Sequence, residues 1–300
     1  LSGLFFILYK QLQSVGTPHE KTLNKKKEGK TMACKKAKRT EQVVMTDKTT
    51  ETEANVAEVS TNNQGERLLF GVDSHTPSND ILQNNLTEFE WAVRNKVYPN
   101  FWGRNLTGEN ALTKEEIDFL HGMGCKIAAI HTDGEPKQTE EQGRILAKKI
   151  DVTVYELGIP ENTAVFLEIG EENLTRDFMK GFADGLMTEG FTPGFKANTD
   201  AAYSFDREFS RGLQTDREIF EKCIVWAEAP SLKEYDRVTT THLIHPDNWA
   251  PFAPSGITRQ DIAVWQYGKS CHPIADDKGR GTSFNVNLVR DDRVITQKMF

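Results

Sequence analysis

The feature that most restricts how this chain can fold is a recurring alternation between residues 68 and 290. Short apolar runs occupy 68–73, 100–104, 125–131, 164–169, 192–197, 223–228, 262–267 and 284–289, and longer polar stretches separate them. Such short runs, rich in Val, Ile and Phe, read as strands covered on both faces. The stretches between them carry helix signals. Leu86, Phe89, Ala92 and Val93 share one helical face. Thr113 and Glu116 have capping-box spacing ahead of Ile117 and Leu120, with Gly122 and Gly124 at the far end. Thr139 and Gln142 repeat that spacing before Ile145, Leu146 and Ile150, and Gly158 with Pro160 stops the helix. Phe178, Phe182 and Leu186 line the next helix, which closes at Gly190, and a further one is expected over 206–221.

Strands alternating with helices predict a parallel sheet with helical crossovers. Eight strands between residues 68 and 290 suit a closed (βα)8 TIM barrel, which typically takes about 250 residues. A doubly wound sheet is less apt, because no Gly-x-Gly-x-x-Gly follows the first strand and no P-loop occurs. The expected domain spans 67–292, with 293–300 as a tail. The connection 268–283 is rich in Gly, Lys and Asp and does not read as a helix.

Residues 32–66 have no aromatic and abound in Lys, Thr, Glu and Asn. Such a segment cannot bury enough apolar surface to offset its ordering entropy, so a disordered arm is expected there. The chain opens on Leu1, and Lys27-Glu28-Gly29 can be encoded by a ribosome-binding sequence just before Met32. The expectation is that 1–31 is a translated leader and that Met32 is the start. The apolar Leu4–Leu8 lacks the basic flank and cleavage site of an export signal, so the cytoplasm or release as a phage-type lysin is expected. A net charge of −7 argues against a nucleic-acid partner. No stretch approaches the ~18 apolar residues of a membrane span. The four cysteines have no paired spacing, and His75, His131, His242, His245 and His272 form no short ligand set. No disulfide framework, metal or cofactor is expected.

Active sites of such barrels lie at the C-terminal ends of the strands. Asp73 ends the first strand, Glu168 lies near the end of the fourth, and Glu228 ends the sixth. Gln266 lies on the seventh, and Asn285 and Asn287 on the eighth. Strand alternation turns Phe166 and Glu168 inward if Leu167 and Ile169 face the helices, and the same parity joins Trp226 to Glu228. Inward carboxylates near one mouth repel each other and raise at least one pKa, which suits acid and base work on a glycosidic bond. Trp102, Trp226, Trp265, Tyr203 and Tyr267 offer flat faces for sugar rings. Each group also has a plainer explanation. Asp73 can cap a loop, Glu168 can pair with Arg104 or Lys196, Glu228 can form a rim salt bridge, and Glu171 can simply favour a helix start.

Several segments carry a resemblance. Gly71-Val72-Asp73-Ser74-His75, Phe101-Trp102-Gly103-Arg104, Leu112-Thr113-Lys114-Glu115-Glu116, Gly190-Phe191-Thr192-Pro193-Gly194-Phe195, Val264-Trp265-Gln266-Tyr267 and Asn285-Val286-Asn287 stand in order along the chain. In that order and spacing they resemble the bacterial glycoside-hydrolase-like domain of unknown function. That domain is related to the lysozyme-type muramidases of glycoside hydrolase family twenty-five. The resemblance implies a barrel acting on bacterial cell-wall glycan, with Asp73 and Glu168 as core carboxylates and Glu228 and Glu171 in reserve. It further implies Arg104, Trp226, Trp265, Gln266, Tyr267, Asn285 and Asn287 as substrate contacts. The muramidases' fourth strand ends in Asp-x-Glu, the second carboxylate being the proton donor, whereas this chain has Glu168 and Gly170 there. The alternative implied is a non-catalytic, glycan-binding barrel that has lost its donor.

Overall fold

The protein is described by a computed structural model over residues 68–82, 85–132, 134, 137–170, 174–240, 249–273 and 283–300. The expected leader and arm lie outside these residues, as do Glu171, His242 and His245.

The strands are β1 (Leu69–Asp73), β2 (Phe101–Asn105), β3 (Lys126–His131), β4 (Ala164–Ile169), β5 (Thr192–Ala197), β6 (Ile224–Glu228), β7 (Arg237–Val238), β8 (Ile262–Pro273) and β9 (Phe284–Val289). Strands β1 to β6 pair in sequence, each parallel to the next. β6 then pairs in parallel with β8, and β9 closes the ring between β8 and β1. The result is the expected eight-stranded barrel, to which β7 adds a short extra pairing on β8. One departure from an all-parallel (βα)8 ring is definite: β9 runs antiparallel to both neighbours. Antiparallel strands need no crossover helix, and residues 268–273 of that connection continue β8, while 274–282 lie outside the described residues. The reversal also brings the start of β9, rather than its end, to the mouth, so Asn285 lies opposite Asp73.

Helices α1 (Glu88–Arg94), α2 (Lys114–Gly122), α3 (Glu140–Leu157) and α4 (Arg176–Thr188) follow β1 to β4 in turn. Their starts are those the sequence marks. Thr113 Oγ1 accepts from Glu116 N, and Thr139 with Gln142 forms a full capping box. Gly158 ends α3 in the left-handed conformation, at φ 73°. The helix expected over 206–221 is two, α5 (Ser204–Thr215) and α6 (Arg217–Phe220), broken at Asp216. No described helix is long and apolar enough to cross a membrane. Residues 293–300, expected as a tail, are built into the barrel's N-terminal end. α7 (Asp292–Lys298) buries Ile295, and Met299 and Phe300 are buried beyond it. The Phe300 backbone pairs with that of Ile127 in both directions.

Two packed layers result from the period-two alternation. Val165, Leu167 and Ile169 belong to the layer between sheet and helices, while Ala164 and Phe166 belong to the barrel interior. That interior is filled by large rings set against missing side chains. A Cβ on Gly71 would stand 2.1 Å from the Phe101 ring, and one on Gly194 would stand 2.6 Å from Phe166. Phe101 and Phe166 both meet Trp226 edge-on, at 6.0 and 5.1 Å. This layer of aromatics forms a floor, and the polar residues stand above it.

Candidate active site at the barrel mouth

The four charged residues of the mouth come from four different strands. Asp73 of β1, Glu168 of β4, Lys196 of β5 and Glu228 of β6 converge. The Lys196 ammonium lies 3.0 Å from Asp73 Oδ2, 2.6 Å from Glu168 Oε1 and 3.5 Å from Glu228 Oε1. It is 2% exposed and sits 5.4 Å above the Trp226 ring, so ring and carboxylates together hold one buried cation. Register accounts for one part of the meeting. Glu168 pairs with Lys196, which pairs with Trp226, along three adjacent parallel strands.

Asp73 is tied on both oxygens. Asn287 Nδ2 donates to Oδ1 at 2.7 Å, while Asn285 Nδ2 at 2.8 Å and Lys196 donate to Oδ2. Trp226 Nε1 donates in turn to Asn287 Oδ1 at 2.9 Å. Behind Asp73 stands Gly103, where an added Cβ would lie 2.7 Å from Asp73 Cβ and 3.0 Å from Ile130 Cδ1. Gly103→Ala is therefore expected to push Asp73 off its two asparagines and to destabilise the fold by about 1–3 kcal/mol. Urea denaturation checks this, and an unchanged midpoint would show that the wall yields freely.

The environments of the two glutamates drive their acidities apart. Burial pushes Glu168 up, but the charge and hydrogen bond of Lys196, the Thr132 hydroxyl and the charge of His75 outweigh it, leaving the carboxyl below its ordinary value. Burial pushes Glu228 up too. Lys196 lies farther from it and opposes burial less, while Glu168 and Asp73 add repulsion, so Glu228 stays above the ordinary value. Burial lowers Lys196, and its three carboxylate neighbours more than reverse this, holding it well above a free lysine. Two carboxyls held on opposite sides of their usual acidity are what paired acid and base chemistry requires.

The other expected site residues divide clearly. Asn285 and Asn287 stand at the mouth through Asp73, and Gln266 faces the same interior, in register with Glu228 and Asn287. Gln266 is 2% exposed, and its Oε1 has no hydrogen-bond partner among the described residues. Trp226 is brought to the site as its floor, fully covered, and so offers no free face to a ring. The structure does not bring Arg104, Trp102, Trp265 or Tyr267 to the mouth. Strand parity turns them outward, into the layer beneath the helices and loops.

Arg104 is fully buried there. Its Nε donates to Glu116 Oε1 at 2.8 Å, Nη1 to the Ser74 carbonyl and Nη2 to the Asn110 carbonyl. It braces the loops after β1 and β2. Trp102 packs against Phe89 of α1, and Trp265 lies edge-on to Trp249 and Tyr267 with Nε1 on the Ala229 carbonyl. Trp249 thus covers the outer face of β8. Among the described residues no three His, Cys, Asp or Glu side chains are grouped to hold a metal ion.

Lys196 enters the sequence reading only as one of two partners for Glu168, although a lone charge in the apolar run 192–197 with the parity of Gly194 points it inward. Thr132 carries no such signal. It lies just past β3 and reaches Glu168 only because β3 and β4 are adjacent.

Fold and mouth together define an eight-stranded barrel with a carboxylate–lysine cluster at the C-terminal ends of its parallel strands. No protein-family profile matches this sequence, and no curated protein matches it. Among solved structures, the chain resembles an uncharacterized B. stearothermophilus protein at 21% identity and a TM-score of 0.63, over 77% of this chain and 100% of that one. That likeness establishes a shared fold. Fainter likenesses, both with a TM-score of 0.45, connect it to two further structures. One is the catalytic domain of endolysin ply40 from bacteriophage P40 of Listeria monocytogenes, at 14% identity over 76% of this chain and 96% of that one. The other is GHIP, a glycosyl hydrolase 25 of Streptococcus pneumoniae, at 11% identity over 77% and 92%.

Proposed function

We propose that this barrel hydrolyses a glycosidic bond in bacterial cell-wall glycan, with Glu228 as the proton donor and Glu168 as its ionised partner. The observation that carries this reading is the opposed acidity of two mouth glutamates held by one lysine. The glycan itself is taken from the motif resemblance to the muramidases. In the reaction, the Glu228 O–H protonates the bridging oxygen, and the C1–O bond breaks with its electron pair on that oxygen. The Glu168 carboxylate stabilises the positive charge developing at C1 and accepts a proton from the attacking water. Asp73 keeps Lys196 in place, and Lys196 keeps Glu168 ionised. Glu228 thus replaces the donor missing at Gly170, and Glu171 is not required.

A second reading has an observation of its own. Lys196 touches all three carboxylates, and a closed ion cluster can hold a barrel together without reacting. The protein would then bind glycan intact, with Gln266 as a contact. Purified protein incubated with bacterial peptidoglycan distinguishes the two. New reducing ends are expected from the parent, and at least 100-fold fewer, on the order of one general acid–base contribution, from Glu168→Gln. Co-sedimentation on the wall material with no new ends would establish the binding barrel instead.

A further inference from the structure

Outside the lysine cluster, a chain of polar contacts leads from the loop after β1 to Glu168. Asn105 Nδ2 lies 3.1 Å from His75 Nδ1, Thr132 Oγ1 lies 3.4 Å from Asn105 Oδ1, and Thr132 Oγ1 lies 2.6 Å from Glu168 Oε2. The protons on this chain can be counted. A threonine hydroxyl carries one hydrogen, and the short contact gives it to the carboxylate. Nothing is then left for Asn105 Oδ1 at 3.4 Å. Turning the Asn105 amide over removes the conflict, since amide oxygen and nitrogen exchange places with no change of shape. Asn105 Nδ2 then donates to the free lone pair of Thr132 Oγ1, and Oδ1 turns to His75. An oxygen facing His75 Nδ1 requires a hydrogen on that nitrogen.

We propose that His75, acting through Asn105 and Thr132, is a positioning residue for Glu168. The relay runs one way, from a hydrogen on His75 Nδ1 to the Glu168 carboxylate. It deepens the hydrolytic reading, resting on Glu168 as the ionised partner. In such a relay each bond polarises the next, and a positive charge on His75 further favours a negative Glu168. The groups that face Glu168 are Lys196 of β5, Thr132 beyond β3 and His75 beyond β1, with Asp73 and Glu228 across the ammonium. Lys196 holds Oε1, so Thr132 alone orients Oε2 among the described residues. His75 and Thr132 are exposed at the rim, so both can be replaced without disturbing the core.

The test is nitrogen NMR of the full chain, reading which ring nitrogen of His75 carries hydrogen at about pH 8, where an imidazole is ordinarily neutral. His75→Gln assigns the signal. The parent is expected to show a protonated Nδ1, Thr132→Val to show the hydrogen moved to Nε2, and Thr132→Ser to restore the parent pattern. An unprotonated Nδ1 in the parent, or a Thr132→Val spectrum like the parent's, overturns the relay. This readout needs no turnover, so failure of the hydrolytic reading leaves it intact. Where turnover is seen, Thr132→Val should also move the acidic limb of the rate profile up by about half to one pH unit, and Thr132→Ser should not.

Discussion

Lys196→Met is expected to cost the folded protein about 3–5 kcal/mol near pH 7, with part of that loss returned on acidification. Met matches the lysine stem in length and polarity, so the Trp226 floor stays covered. The ammonium is what disappears. Asp73, Glu168 and Glu228 would then face one another above an apolar floor without the ammonium that touches all three. Burial, already the leading influence on Glu168, would be opposed only by the Thr132 hydroxyl and the charge of His75.

The sign of the pH effect follows from the shifts. Glu168 lies below its ordinary value, so its contribution is present above that value and is lost as pH falls through the folded one. Lys196 lies above a free lysine, so its contribution is present below the lysine range and is lost only as pH rises through the folded value. In the variant, both contributions are gone near neutrality. Protonating the stranded glutamates at about pH 4.5 relieves their repulsion. Urea titrations of parent and variant at the two pH values measure the difference. A penalty equal at both would mean that Lys196 serves by packing alone.

Glu228→Gln is expected to lower kcat/KM on peptidoglycan by about 10²–10⁴-fold and to remove the alkaline limb of the parent's rate profile. The parent needs Glu228 protonated, a form that fades as pH rises through its raised value. It also needs Glu168 ionised, a form that fades as pH falls through its lowered value. Activity should therefore span the ordinary glutamate value, with Glu168 setting the acidic limb and Glu228 the alkaline one. Glutamine keeps the shape of Glu228 but has no proton to give the leaving oxygen. An alkaline limb that survives in the variant would assign it to another group and remove Glu228 from the donor role.

Much of the barrel was legible because strand and helix periods are local properties. All eight runs became strands, and the Thr113, Thr139 and Gly158 signals sit at true helix ends. Parity also foretold which of Phe166, Leu167 and Glu168 face inward, since successive strand side chains must point to opposite faces. The direction of β9 was not legible. Its residues read the same forwards and backwards as a buried strand, and only closure between β8 and β1 decides its sense. The same limit misplaced the aromatic platforms. Trp102 and Trp265 look alike to Trp226 in sequence, yet one residue of parity puts the first two outside the barrel and the third within it.

The sequence by itself determined the order of the eight barrel strands, the starts of the helices after β2 and β3, which strand residues share a face, and that carboxylates stand at strand ends. Only the tertiary structure decided which of these meet. Register between adjacent strands put Lys196 beside Glu168 and Trp226, and ring closure brought Asn285 and Asn287 to Asp73 from more than 200 positions away. The acidities of Glu168 and Glu228 followed from that meeting, because Coulomb interaction depends on distance in space and burial depends on every neighbour at once.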